Sequence, residues 1–149
     1  MKKILAAISV LIVLSSCASP SSLVNKSAKK QVEKNVLTNL PGTNGPLLAV
    51  KIDDTNAAHP QVGLNSADVV YIEQVEGGLT RLAAIFTDKV PDLIGPVRSA
   101  RISDIEILAQ YGRVGFAHSG AQSKMRPVLE AANLENMSAE RNPPSIYQS

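Results

Sequence analysis

Two glycines, Gly77 and Gly78, stand between two runs that favour extended backbone. DVVYIEQVE (68–76) precedes them and LTRLAAIFTD (79–88) follows, both rich in β-branched and aromatic residues. Two adjacent glycines between such runs are a strong hairpin signal, because a two-residue turn that matches strand twist needs positive φ at both central positions. The pair therefore places two antiparallel strands side by side over about 68–88 and commits the chain to a sheet. LLAVKID (47–53) is a short apolar run of strand length. RVGFAH (113–118) reads as a further strand, and LIGPV (93–97) as a short extended piece.

Two segments carry helical spacing instead. In SARISDIEILAQYG (99–112), Ile102, Ile105, Leu108 and Ala109 make one apolar stripe. Ser99 is placed to N-cap this helix and Gly112 to end it, predicting a helix over about 99–111. SKMRPVLEAANL (123–134) predicts a second helix, with Pro127 near its first turn. Strands with interspersed helices make the fold class α/β or α+β: a mixed sheet holding the hairpin, with the two helices packed on it.

The first residues belong to targeting and not to the fold. MKK is a basic n-region and Ile4–Leu14 is an 11-residue apolar run, too short to span a bilayer and of secretory length. LSSC follows, and its cysteine, Cys17, is the only one in the chain. The order resembles the lipobox of bacterial lipoproteins, which implies removal of residues 1–16 and lipidation of Cys17. Attachment of more than one acyl chain anchors stably, where a single chain binds marginally. Residues 17–45 are then expected as the lipidated cysteine and a flexible tether, with the folded domain over 46–149. With Cys17 used, the domain has no thiol for a disulfide. Removing Lys2 and Lys3 with the leader leaves 13 Lys and Arg against 13 Asp and Glu, so the net charge of +2 falls to zero. That balance gives no nucleic-acid footprint.

LAVKIDDTNAAHPQVGLNSADVVYIEQVEGGLTRLAAIFTD, together with IGPVRSARISDIEIL and the turn after His118, resembles the YerB-like lipoprotein family from Pro46 onward. The resemblance implies an extracytoplasmic, membrane-anchored domain of unknown function and no established activity. In that family an APHNLY-like segment follows the second helix; here NPPSIY stands there, with Pro144 where a histidine is expected. Family members are much longer and carry a second domain. The chain is accordingly expected to be the N-terminal part, with the C-terminal domain absent.

The candidate chemistry centres on GPVRSAR (95–101). Cations are disfavoured at a helix N-terminus unless an anion is held there. Arg98 and Arg101 beside Ser99 and the first amides of the helix form a candidate anion site, which Arg81 joins if the hairpin tip packs near. The bland reading pairs these arginines internally with Glu73 and Glu76. Asp53, Glu73 and His118 are candidate acid/base or metal-holding groups, and Asp53 with the adjacent Asp54 could hold a metal through oxygen. The two histidines lack ligand spacing, so no metal and no cofactor is assigned. The leading expectation is a lipid-anchored protein on the outer face of the cell membrane that binds an envelope protein or an anionic ligand. One alternative is an enzyme acting on phosphate-bearing envelope polymers or lipid-linked precursors. Another is a structural fragment without activity.

Overall fold

A computed structural model describes residues 32–142. The expected leader, Cys17 and Pro144 lie outside the described residues. The described chain is an α+β domain built on one mixed sheet, with strands β1 (Leu48–Asp53), β2 (Val69–Gln74), β3 (Thr80–Phe86), β4 (Val114–His118) and β5 (Leu134–Ser138). Its helices are α1 (Ile102–Ala109) and α2 (Arg126–Ala131). The strand order is β2-β3-β1-β4-β5. β2, β3 and β1 pair antiparallel, and β1, β4 and β5 pair parallel.

The expected hairpin is present. Its turn is longer than the expected two residues: the Val75 N–H donates to the Leu79 carbonyl at 2.8 Å and encloses Glu76, Gly77 and Gly78, with the two glycines at φ of 73° and 71°. Side chains carrying a Cβ are disfavoured there, and nothing lies near either glycine, so the backbone alone selects them.

Register sorts the side chains onto two faces, since successive residues of a strand point opposite ways. Ala49 pairs with Phe116, Lys51 with Ala83, and Arg81 with both Asp53 and Glu73. One face therefore carries Ala49, Lys51, Asp53, Arg81, Ala83, Ile85, Tyr71, Glu73, Phe116 and His118. The helices cover its apolar part, where Ala49, Ile85 and Phe116 pack with Leu108 of α1 and Leu129 of α2. The opposite face holds Val50, Ile52, Leu82, Ala84, Phe86 and Ala117, packed by Leu64, Ala67, Ile94 and Val97 from loops.

β4 accompanies β1 only along Leu48–Val50. Beyond that point Pro96–Arg98 takes the edge of β1. The Asp53 N–H donates to the Pro96 carbonyl at 2.9 Å and the Arg98 N–H to the Lys51 carbonyl at 2.8 Å. The other side of the segment meets the chain leaving β4, with Ser119 N–H to the Arg98 carbonyl at 3.0 Å and Ala100 N–H to the Gly120 carbonyl at 2.9 Å. GPVRSAR is thus wedged between the diverging carboxyl ends of two parallel strands.

That wedge corrects the expected start of the first helix. Ser99 does not N-cap it, because Ala100 is bonded to the chain after β4, and the N-cap falls on Arg101 in extended geometry. The second helix is also shorter than 123–134. It stops at Ala131, Ala132 turns extended, and residues 134–138 form β5 against β4. Residues 32–45, expected as tether, include a buried Asn35 and a bridge between Lys34 and Pro41. Asn35 Nδ2 donates to Thr87 Oγ1 at 2.5 Å, which ties this stretch to the end of β3. Among the described residues no helix is long and apolar enough to cross a membrane.

Candidate functional site

The helix-covered face turns polar toward the carboxyl end of β1. Lys51 is fully buried there, with its ammonium bonded to Glu73 Oε1 and, at 2.8 Å, to Asp104 Oδ1. Ser103 Oγ donates to Glu73 Oε2, and the Arg101 N–H donates to Asp104 Oδ2 at 2.6 Å. Asp104 thereby serves as half of a capping box. The reciprocal half is impossible, because a guanidinium has no acceptor. All four carboxylate oxygens of Glu73 and Asp104 receive a donor. These bonds and the Lys51 charge favour the ionised form of Asp104, but burial outweighs them and pushes its pKa up to about 6. It is a carboxylate at neutral pH and takes up a proton in mild acid.

Three arginines lie beside this cluster. Arg81, largely buried on β3, donates from Nη1 to the Ser99 carbonyl at 2.8 Å. Arg98 Nε faces Asp53 Oδ2 at 3.2 Å, with 47% of its side chain exposed. Arg101 Nε donates to Glu76 Oε2 at 2.8 Å, and its Nη1 to the Ala100 carbonyl at 3.0 Å. Burial lowers the Arg81 pKa, and repulsion from Arg101 and then Arg98 lowers it further. The three guanidinium charges therefore act on one another. Two carboxylates, Asp53 and Glu76, stand against them. Glu76 is held below the ordinary range by a backbone hydrogen bond and then by Arg101.

The site residues expected from sequence thus come together, in an altered arrangement. Arg81, Arg98, Ser99 and Arg101 gather at the hairpin tip and the wedge. The internal pairing expected of the arginines falls on Glu76 and Asp53, while Glu73 pairs with Lys51. The amides expected to form the anion cradle are partly spent, Ala100 on Gly120 and Arg101 on Asp104. Asp53 Oδ1 accepts the Thr55 N–H at 3.1 Å. Asp54 accepts from Thr80 Oγ1 at 2.5 Å and from Gln61 Nε2 at 3.2 Å. Among the described residues no three His, Cys, Asp or Glu side chains converge as a metal cage.

His118 ends β4 on the same face and is buried. Asn136 Oδ1 accepts the Ser138 N–H at 3.2 Å, so the 3.0 Å contact from His118 Nε2 to that oxygen makes Nε2 the donor. Nδ1 is then left to accept the Gly120 N–H at 3.2 Å. The Gly120 carbonyl, 2.9 Å from Nδ1, is the acceptor a second proton would find. Burial lowers the His118 pKa, against those two partners, which raise it. The ring is neutral at neutral pH.

Sequence reading missed Lys51, Ser103 and Asp104. A signal for the first was present: Lys51 interrupts an otherwise apolar strand, between Val50 and Ile52. Asp104 carried no such signal, since it follows Ser103 and lies outside the stripe of Ile102, Ile105, Leu108 and Ala109.

Fold and site define a small α+β sheet domain with a buried lysine–dicarboxylate cluster under a group of arginines. The chain belongs to the family described as "Protein of unknown function (DUF3048) N-terminal domain", which matches residues 31–149. It is 34% identical over 90 residues to the "Putative lipoprotein YerB" of Bacillus subtilis (strain 168), a match covering 60% of this chain and 27% of that protein. The crystal structure of YerB protein from Bacillus subtilis is similar, with a TM-score of 0.68 and 31% sequence identity, over 73% of this chain and 39% of that one. The chain thus spans well under half the length of these relatives.

Proposed function

We propose that this chain is the N-terminal domain of a lipid-anchored protein on the outer face of the cell membrane, and that it binds an anionic ligand through Arg81, Arg98 and Arg101. The observation that carries the binding reading is the gathering of three mutually repelling guanidiniums around two carboxylates, with Arg98 half exposed. An anion seated among them relieves that repulsion, and guanidinium forks match phosphate or carboxylate geometry. The enzyme reading needs an acid or base open to substrate. Glu73 and His118 are buried and engaged, and Asp53 is bonded to Arg98 and Thr55. Binding without chemistry is the reading this geometry supports.

The test is thermal melting in inorganic phosphate or pyrophosphate against sodium chloride of equal ionic strength. Saturating ligand at about 100 times its Kd adds about 2.7 kcal/mol. Arg98→Ala is expected to cost about 1 kcal/mol in the absence of ligand, through the lost pair with Asp53, and to remove most of the anion-dependent rise. A wild-type melting temperature that phosphate and pyrophosphate leave unchanged sinks the proposal.

The anchoring reading rests on the LSSC segment and on the name of the Bacillus relative. Cys17→Ser is expected to move the protein from the membrane fraction to the soluble fraction of fractionated cells, because both glycerol acyl chains hang on that one sulfur. A variant still held at the membrane contradicts it.

A further inference from the structure

β2 is an edge of the sheet, paired with β3 alone. Bonds elsewhere in the sheet fix which of its backbone groups face outward. The Val75 N–H donates to the Leu79 carbonyl, and these two residues continue the β2–β3 register. Bonded and unbonded pairs alternate along an antiparallel ladder, so Val69, Tyr71 and Glu73 spend their backbone groups on β3. The bonds of β1 agree. The Asp53 N–H and the Lys51 carbonyl turn to the wedge, which leaves Leu82 and Ala84 to bond β1 and Arg81 and Ala83 to bond β2. Val70, Ile72 and Gln74 therefore point their N–H and C=O groups away from the sheet. Among the described residues nothing bonds them.

The side chains of the same three residues lie on the face away from the helices and are exposed. None of them is charged, and the strand holds neither lysine nor proline. Those are residues by which a sheet edge ordinarily repels another strand. The one charge of β2, Glu73, is turned under the helices and bonded to Lys51. A row of free donors and acceptors beside an uncharged surface accepts a further strand.

The strand that fits is β2 itself. With a two-fold axis at Ile72, that residue faces Ile72 of the other copy, and Val70 faces Gln74 on either side of it. Each pair exchanges both N–H···O bonds, so every outward backbone group of the three residues is satisfied. Tyr71 then stands opposite Glu73. An axis at Glu73 would set two carboxylates face to face, which destabilises. An axis at Tyr71 would set Gln74 against Asp68, whose N–H is already given to the Ile85 carbonyl at 2.8 Å.

We propose that β2 pairs antiparallel with β2 of a second copy of this chain about an axis at Ile72, joining the two sheets edge to edge. Three residues a side are far fewer than the roughly 20–30 of a stable interface, so the association is transient. It does not depend on the anion-binding reading.

The experiment oxidises single-cysteine versions of the full chain, all carrying Cys17→Ser, and reads disulfide-linked dimers by non-reducing electrophoresis. Bonded antiparallel partners stand about 5.5 Å apart at Cα, within disulfide reach, whereas Val70 and its copy would stand about 14 Å apart. Ile72→Cys is expected to crosslink to itself. Val70→Cys and Gln74→Cys are expected to crosslink only when mixed. That product is expected to be lost when both chains also carry Ile72→Lys, which sets like charges at the axis. All three positions are exposed, so the reduced chains are expected to keep the urea midpoint of the parent. Absence of the Ile72→Cys dimer overturns the pairing. A Val70→Cys dimer as abundant alone as the product of the mixture also overturns it, because collision or another register would then explain the crosslink. So does a mixed product that survives Ile72→Lys.

Discussion

Replacing Lys51 by methionine is expected to lower the unfolding free energy by about 3–5 kcal/mol at pH 7, the range for removing one partner of a buried ion pair. Methionine matches the length of the lysine stem, so packing is largely kept and the loss is electrostatic. Glu73 and Asp104 would remain buried with one ammonium fewer between them, and each would lose a donor. The pH dependence distinguishes this from a packing loss. Asp104 carries a pKa raised to about 6 in the folded protein against an ordinary 3.8. The folded state therefore holds more protons than the unfolded state between these values. The contribution of Asp104 to stability is fully present below about pH 4 and is lost as pH rises through about 6. Without Lys51, Asp104 is harder to ionise, so the variant gains more than the wild type on acidification. Urea unfolding, in an uncharged denaturant, at pH 5 and pH 7 measures this. A Lys51→Met loss of the same size at both pH values contradicts the account.

The second large effect is apolar. Phe116 is fully buried on β4, between the helices and the polar end of the site, with its ring centroid 5.0 Å from that of His118. Phe116→Ala is expected to cost about 3–5 kcal/mol, as phenylalanine truncations in cores do. It also removes the packing that holds the His118 ring against Asn136 and Gly120. Ile72→Ala is the contrast: Ile72 is 73% exposed on the edge strand β2, so little more than strand propensity is at stake, under about 1 kcal/mol. Urea midpoints of the two variants at unchanged slope test the difference. Comparable losses would mean that the exposed face of β2 is covered in solution.

Phe116 and Ile72 also show how far sequence carries. Both are large apolar residues in strand-like runs, and nothing local separates them. Their burial is decided by strand position and face together: Phe116 lies on the helix-covered face of β4, which has neighbours on both edges, and Ile72 on the other face of β2, which has β3 alone. Lys51 and Glu73 invert the usual expectation for charged residues. They are buried because register puts both on the helix-covered face, where Asp104 arrives from 53 positions beyond Lys51 in sequence. The arginines were legible as a cationic group from GPVRSAR, yet their partners were not. Whether Arg98 meets Asp53 or Glu73 depends on where the wedge between β1 and β4 sets its backbone.

What the sequence by itself determined is local. Gly77 and Gly78 dictate the hairpin because the turn needs positive φ at both positions, and the stripe Ile102, Ile105, Leu108 dictates α1 because its spacing is the helical repeat. The motifs from Leu47 to His118 were enough to place the chain beside its family. Only the tertiary structure decided where α1 begins, that residues 134–138 form a strand, and that a lysine lies at the centre of the site. In each case the cause is a backbone or ionic partner distant in the sequence. Ala100 is held by Gly120, β5 by β4, and Lys51 by Glu73 and Asp104. Local propensity records the preferences of a short stretch, and a bond made across the fold outweighs them.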